Sequence, residues 1–228
     1  GVAGQPVPID ELNYFGITFN GLNAAGDADP AYIDDLVVEH IPFVPGTALY
    51  EDAFETNGGD LHNRRPDAFD GSVSSLAWWK NEALDLVVTN GGLQTTTNEA
   101  QQSAWLELPT ISLGDVIQAS AVVVANGDAN TDWLGIGLLQ SKNHLYQQGA
   151  PYVALTRRAV DPGAGTGLIQ VYGGLGNEND PLFSGNYRKE QNGFTTNLNA
   201  RNTVGFEYDT ASGNLQVWLT SEGGTTVT

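Results

Sequence analysis

TVGFEYDTASGNLQVWL, residues 203–219, alternates apolar and polar side chains on both sides of a short polar turn. The apolar positions recur at every second residue: Val204, Phe206 and Tyr208 in the first half, and Leu215, Val217 and Leu219 in the second. A two-residue period is typical of a strand with one buried face, and residues 210–213 have the composition of a turn. The stretch therefore predicts an antiparallel β-hairpin.

Similar short apolar runs predict further strands along the chain. We expect a long strand at 115–125 and another at 133–140, with a polar loop between them. Shorter strands are expected at 84–89, 103–108, 151–158 and 167–173. Gly, Asn or Pro interrupts every window that is long enough for an amphipathic helix. The prediction is an all-β, antiparallel β-sandwich.

Composition supports one large β unit and limits its partners. The 228 residues are 40% hydrophobic and 16% charged and include 28 Gly. A net charge of -18, from nine Lys plus Arg against 27 Asp plus Glu, repels nucleic-acid phosphates, so no nucleic-acid partner is expected. No apolar run approaches the roughly 18 residues that span a bilayer, so no membrane insertion is expected. Without Met or Cys, the chain is expected to be a processed or excised product with no disulfide framework.

Two segments resemble parts of a known family. Residues 47–79 start with an apolar stretch and lead through a polar loop, RRPD at 64–67, to the pair Trp78 and Trp79. Residues 12–41 contain an apolar strand, a Gly/Asp/Asn loop and a second strand written Ile-Asp-Asp-Leu-Val-Val. The first segment resembles the opening, and the second the close, of the laminin-G-like or concanavalin A-like jelly rolls of bacterial surface and exported proteins. The resemblance implies a jelly-roll sandwich.

The order of the two segments is unusual for that family. Its closing strand lies beside the opening strand and comes last in the sequence, whereas here it comes first. The apolar residues of the early segment would lose about 25 cal/mol per Å² if left exposed, so they must pack against a sandwich. These expected assembly residues are Phe15, Ile17, Phe19, Ile33, Leu36, Val37 and Val38.

We therefore expect two units, a strand segment at 1–45 and a jelly-roll domain at 46–228. The segment would complete the sandwich of its own copy or of a neighbouring one. Three arrangements stay open: a circular permutation with permuted N-terminal strands, strands donated to a preceding subunit, or one period of a tandem array.

Signals for catalysis are weak. Glycosidases need two carboxylates at about 5 to 5.5 Å for retention of configuration. Asp34 and Asp35 are expected to point to opposite faces of a strand, and Glu207 and Asp209 to be solvated. The His residues stand apart in the sequence, and there is no nucleophile elbow or phosphate-binding loop. We expect a non-enzyme.

Clusters of Asp and Asn are candidate calcium ligands. Asp27 with Asp29, and Asp128 with Asn130 and Asp132, offer oxygen atoms at alternate positions, a spacing by which a loop can wrap Ca²⁺. The same residue types also form ordinary turns. Calcium and turn chemistry are both left open, and no other cofactor is expected.

Aromatic residues are the candidate ligand-binding groups. Trp78, Trp79 and Trp133 could stack on sugar rings, with core filling as the alternative for each. Trp133 stands out because Gly135 and Gly137 would leave its strand face open to a flat ligand. Arg64 and Arg65 are expected to anchor their loop through carboxylate pairs.

Two function classes follow from these features. The first is a non-catalytic structural protein, a subunit or repeat of a surface filament or array assembled head-to-tail from copies of itself by strand complementation. The alternative is a lectin-like module that binds a glycan, with or without calcium. Both imply an extracellular or cell-surface location.

Overall fold

The computed structural model describes most of the chain, with gaps between strands. The described residues are 12–20, 31–41, 48–55, 59–70, 77–80, 86–95, 97, 102–124, 133–139, 141–142, 145, 149–156, 168–172, 187–189, 200–224 and 226–227. In this part of the chain, strands predominate and every strand pair is antiparallel. The prediction of an all-β, antiparallel architecture is confirmed. No helix in the described part has the length and apolar character needed to cross a membrane.

One sheet, called sheet A, has seven strands. In spatial order they are β14 (Tyr187–Lys189), β13 (Leu168–Tyr172), β12 (Gly149–Thr156), β11 (Trp133–Leu139), β1 (Tyr14–Asn20), β9 (Gln102–Glu107) and β6 (Trp79–Lys80). The strands at β9, β11, β12 and β13 lie where the apolar runs predicted them, within one or two residues at each end.

The other sheet, sheet B, has ten strands. In spatial order its main path is β17 (Thr226–Val227), β16 (Leu215–Thr220), β15 (Asn202–Asp209), β10 (Val116–Val124), β2 (Tyr32–Ile41), β8 (Gly92–Thr95), β7 (Leu86–Thr89) and β4 (Gly59–Asp60). Two further strands extend from β2: β3 (Ala48–Asp52) pairs with β2, and β5 (Ala68–Phe69) pairs with β3. The predicted hairpin is the β15–β16 pair.

The first two strands occupy the middle of the two sheets of their own chain. β1 pairs with β9 on one side and β11 on the other, while β2 pairs with β10 along its length and with β8 and β3 on its other edge. The apolar side chains that these strands place in the core are Phe15, Ile17, Phe19, Ile33, Leu36 and Val38, each at most 1% exposed. Val37 is half-buried. Six such side chains contribute roughly 1.5–3 kcal/mol each, which is comparable with the whole stability of a domain, about 5–15 kcal/mol.

A β-bulge in β2 explains why its core residues break strict alternation. Asp34 lies opposite Val122 and Val37 opposite Ser120, so two residues of β2 face Ala121 alone. Asp35 is one of these two and has a φ of 44°, in the left-handed region. The extra residue brings both Ile33 and Leu36 to the core face, although they are three positions apart.

The bulge also corrects one prediction about β2. Asp34 and Asp35 do not point to opposite faces, because Arg201 Nη2 donates to Asp34 Oδ2 at 2.7 Å and to Asp35 Oδ2 at 3.3 Å. A single guanidinium therefore contacts both carboxylates. Arg201, Asp34 and Asp35 therefore form a structural ion-pair cluster at the bulge.

Strand β3 links the two sheets through buried polar groups. The Tyr50 hydroxyl donates to the carbonyl of Glu107 in sheet A, and burial raises the pKa of Tyr50. The Trp78 indole donates to Asp52 Oδ2 at 2.8 Å, and Arg64 donates to the same oxygen. Arg64 also forms a 3.2 Å ion pair with Asp67. The expected role of Arg64 as an anchor of its loop is thus confirmed, whereas Arg65 is exposed and forms no ion pair with a carboxylate of the described residues.

Candidate functional site

The outer face of sheet A, turned away from the core, has a row of aromatic and glycine residues. Trp79 lies opposite Trp105, Trp105 opposite Gly16, and Gly16 opposite Gly137. Directly opposite residues of antiparallel strands share a face, and the neighbours Trp78, Ala104 and Leu106 are in the core on the other side.

A small apolar cluster lies on this outer face, separate from the main core. It consists of Trp105, Leu139 and Leu145, and Tyr14 and Trp133 pack against it. Gly16 is required beneath it, because a Cβ there would lie 2.1 Å from Leu139 Cδ1 and 3.3 Å from Trp105 Cδ1. The cluster therefore forms a floor built on the glycine of β1.

A buried polar pair holds a connecting segment against the same floor. Thr18 and Ser103, from adjacent strands, form a 2.8 Å hydrogen bond between their hydroxyls. The backbone N–H of Leu145 donates to Thr18 Oγ1 at 3.1 Å. This bond fixes the position of Leu145, which follows shortly after Lys142 in the connection between β11 and β12.

Trp79 is the accessible indole of the row. Its side chain is 37% exposed, whereas Trp105 is 7% exposed. Lys142 Nζ lies 3.8 Å from the Trp79 ring centroid and 5.6 Å from that of Tyr14. The His62 ring meets Trp79 edge-on, with centroids 5.3 Å apart. The corner formed by Trp79, Tyr14, His62 and Lys142 is hereafter called the aromatic corner.

Ionic contacts fix the strand beneath this corner. Lys80 Nζ lies 3.1 Å from Asp60 Oδ1, and the backbone N–H of Lys80 points to His62 Nδ1 at 3.5 Å. The backbone N–H of His62 donates to Asp60 Oδ1 at 2.9 Å. These bonds position His62 beside Trp79 while leaving the indole on the surface.

The three tryptophans proposed as ligand-binding residues occupy different places. Trp79 is at the surface and Trp133 is half-buried on the same outer face. Trp78 is fully buried and packs against Phe54 with ring centroids 6.2 Å apart, so stacking on a sugar does not fit its position. Gly135 and Gly137 are buried, so the open strand face expected beside Trp133 is also wrong.

The candidate calcium ligands Asp27, Asp29, Asp128, Asn130 and Asp132 lie outside the described residues. The strands that flank them are described. Tyr32 pairs with Val124 in sheet B and Asn20 pairs with Trp133 in sheet A, so the strand ends that flank the two acidic connections lie at the same end of the sandwich. Within the described ranges, no group of three or more His, Asp or Glu side chains has an arrangement that could hold a metal ion.

Of the other carboxylates considered for catalysis, Asp209 has structural contacts. Asp209 accepts bonds from the Ser212 hydroxyl at 2.6 Å and the Ala211 amide at 2.8 Å, and these hold the pKa of Asp209 below its ordinary value. The bonds close the turn between β15 and β16. Glu107 lies opposite Tyr14 on the outer face of sheet A rather than opposite a second carboxylate.

Sequence reasoning did not single out several residues of this face. Trp105 and Tyr14 were missed, although alternation in QSAWLE places Trp105 on the face opposite Ala104 and Leu106. Lys142 and His62 could not be found in this way, because they come from connections between strands. Comparison of the sequence with protein-family models finds no match, and comparisons with curated proteins and with solved structures find none either.

Proposed function

We propose that this chain is a non-catalytic, lectin-like carbohydrate-binding module with a laminin-G-like jelly-roll fold, acting at the cell surface or outside the cell. The observation that supports it most directly is the aromatic corner, where Trp79 is exposed on a sheet face that also includes Tyr14, Trp105 and Trp133. Sugar rings present apolar C–H faces to flat indole rings, and binding sites combine such surfaces with a few polar groups.

The position of Trp79 suits ligand binding. Its cross-strand partner Trp105 is buried in the floor, where it lies with Leu139 above Gly16. The strand next to Trp79 is therefore held in place by close side-chain packing. A rigid aromatic surface loses little conformational entropy when a ligand binds. His62 and Lys142 supply hydrogen-bond donors next to the ring, and donors beside a stacking surface give orientation to a bound sugar.

The non-catalytic part of the proposal rests on the carboxylates of this face. Glycoside hydrolysis uses two carboxyl groups on either side of the scissile bond. Glu107 has Tyr14 as its cross-strand neighbour, and Asp60 is engaged by Lys80 and by the amide of His62. Neither has the paired arrangement that the reaction requires.

We also propose that calcium binds as a structural ion at one end of the sandwich. The connections that bear Asp27, Asp29, Asp128, Asn130 and Asp132 join paired strands, so their ends are close in space. Carboxylate and amide oxygens are the ligands that Ca²⁺ takes in proteins.

A matched pair of aromatic substitutions tests the proposal. Phe69 is 38% exposed in β5 of sheet B, so it matches the exposure of Trp79 at a different place. Wild type, Trp79→Ala and Phe69→Ala would be screened on a glycan array, and the best ligand would be titrated by calorimetry. We expect Trp79→Ala to weaken binding at least about fivefold, since aromatic stacking with its buried area is worth over 1 kcal/mol. Phe69→Ala should bind like wild type, and equal loss in both variants would contradict the proposal.

Strand exchange between copies is a second candidate, with an observation of its own. β1 and β2 are consecutive, and each supplies a central strand to one sheet. Exchange of the β1–β2 segment between two copies would preserve each of these strand pairs, with residues 42–47 as the hinge. Donation of the segment from each copy to the next, rather than mutual exchange within a pair, would extend this assembly into a filament or array built from copies of the chain. The apolar side chains of β1 and β2 are already buried in the core of their own chain, so they give no reason for exchange. This second candidate therefore rests on the strand order alone.

A further inference from the structure

Positive side chains are scarce in this protein, and three of them are used in ion pairs. The sequence has nine Lys plus Arg against 27 Asp plus Glu. Arg64 pairs with Asp67 at 3.2 Å, and Lys80 pairs with Asp60 at 3.1 Å. Arg201 contacts the adjacent Asp34 at 2.7 Å. An acidic chain readily supplies carboxylates to its cations.

Lys142 has a different environment. Its ammonium lies over the Trp79 ring at 3.8 Å and near the Tyr14 ring at 5.6 Å. It makes no ion pair with a carboxylate of the described chain, and the residue is exposed. A cation is thus held at the aromatic corner by ring contacts, which are weaker than a charge-assisted hydrogen bond.

From this arrangement we propose that the ligand of the aromatic corner is an acidic glycan, whose carboxylate or sulfate group pairs with Lys142 while a sugar ring stacks on Trp79. The inference rests on the proposed carbohydrate-binding function and names its substrate class. A sugar that stacks on this ring face must displace the Lys142 ammonium. A neutral sugar thereby loses the cation–π contact, worth about two- to fivefold in affinity at an exposed site. An acidic sugar replaces that contact with an ion pair at the edge of the ring.

The net charge of the protein makes the inference specific. With a charge of -18, the molecule as a whole repels acidic polymers. At physiological ionic strength, exposed charges more than about 8 Å away are largely screened. The charges next to the aromatic corner therefore decide whether a short acidic oligosaccharide is attracted there, and a local cation favours its binding. Lys142 is the described cation that lies on the exposed indole of this face.

The test compares charged and uncharged forms of the same sugar. A galacturonic acid tetrasaccharide and its methyl ester differ in charge but have the same ring faces, and a sulfated galactan oligosaccharide with its desulfated form separates sulfate from carboxylate. Each would be titrated into wild type, Lys142→Gln, Lys142→Arg and Arg201→Gln. The last variant removes the same charge at the residue just before β15, next to sheet B.

We expect wild type to bind at least one charged form about fivefold or more tightly than its uncharged form. Lys142→Gln should abolish this preference, while Lys142→Arg and Arg201→Gln retain it. Equal affinity for charged and uncharged forms, or an unchanged preference in Lys142→Gln, would overturn the inference. In that case the proposed function still stands if Trp79→Ala weakens binding of the uncharged sugar. Absence of binding to every charged and uncharged glycan would overturn both.

Discussion

Trp79 and Trp105 lie directly opposite each other in the antiparallel pair of β6 and β9, on the outer face of sheet A. The Trp105 side chain is buried with Leu139 and Leu145 in the floor above Gly16. The Trp79 side chain is partly exposed, and the Lys142 ammonium lies over its ring. One indole is therefore buried in this face, and the other lies more than a third exposed at its surface. The proposed glycan site depends on this division between the two rings.

Substitution of Gly16 should destabilise the protein by disturbing that floor. A Cβ in Gly16→Ala would lie 2.1 Å from Leu139 Cδ1, and both Leu139 and Trp105 are buried. Overpacking of this kind costs about 1–3 kcal/mol. Chemical denaturation would measure the loss, with Gly59→Ala as the control, because nothing lies within 4 Å of a Cβ there. Equal stability of the two variants would show that the floor is not tightly packed.

The Arg64→Ala variant should be strongly destabilised at neutral pH. It leaves the buried carboxylate of Asp52 without its cation, and breaking a buried pair in this way costs about 3–5 kcal/mol. Burial already raises the pKa of Asp52, and the loss of Arg64 removes a partner that lowers it. A raised pKa in the folded state means that protonation favours folding. The variant should therefore recover stability as the pH falls through the folded-state pKa of Asp52 towards the ordinary carboxyl range, and lose it as the pH rises.

Urea denaturation across pH would measure this dependence against Arg65→Ala. Arg65 is the exposed neighbour of Arg64, and its substitution should change stability by no more than about 0.5 kcal/mol. A destabilisation of Arg64→Ala that is the same at acidic and neutral pH would exclude Asp52 as its cause.

Periodicity predicted the parts of this fold that depend on one face of a strand being buried. The β15–β16 hairpin and the core residues of β1 follow from alternation in their own sequences. Alternation failed at Asp35, because a bulge depends on pairing with β10, which is distant in sequence. It also could not distinguish Trp78 from Trp79 as core and surface, since adjacent residues of regular extended chain take opposite faces and the sequence does not say which face is covered.

The aromatic corner was only partly predictable for a related reason. Trp79 was identified as a candidate from its residue type alone. Its contacts with His62 and Lys142 arise from two connections that are about 80 residues apart in the chain and meet at β6. No local pattern encodes such a meeting, because it results from the order of strands in sheet A.

Shortening the connection after β2 should reveal whether the β1–β2 segment can be exchanged. Deletion of residues 42–47 joins Ile41 directly to Ala48, and His40 and Ile41 pair with β10, so no residue remains for the turn from β2 back onto β3 in the same copy. Short hinges under strain favour exchange between copies. We expect light scattering to give twice the monomer mass or more, with a circular dichroism spectrum like that of wild type. A chain with two extra Gly at the same place should stay in its wild-type state. A shortened chain that folds as a monomer, or does not fold, would count against strand exchange.

Calcium should raise the thermal stability if the acidic connections bind it. A ligand that binds only the folded state at a hundredfold excess over its Kd contributes about 2.7 kcal/mol. We expect a higher melting temperature in calcium than in chelator, and no such difference in a variant with Asp128→Asn and Asp132→Asn. Glu222→Gln, which alters an exposed carboxylate elsewhere, should respond like wild type. An equal response in all three proteins would place any calcium effect away from these connections.

Indole resonances give the most direct test of where a glycan binds. The chain has five Trp, and each side-chain N–H gives its own peak in a ¹H–¹⁵N correlation spectrum. On titration with the best-binding oligosaccharide, the Trp79 peak should move most, and those of Trp78 and Trp218 should stay in place. Movement of the Trp218 peak while that of Trp79 remains fixed would contradict a binding site on the outer face of sheet A.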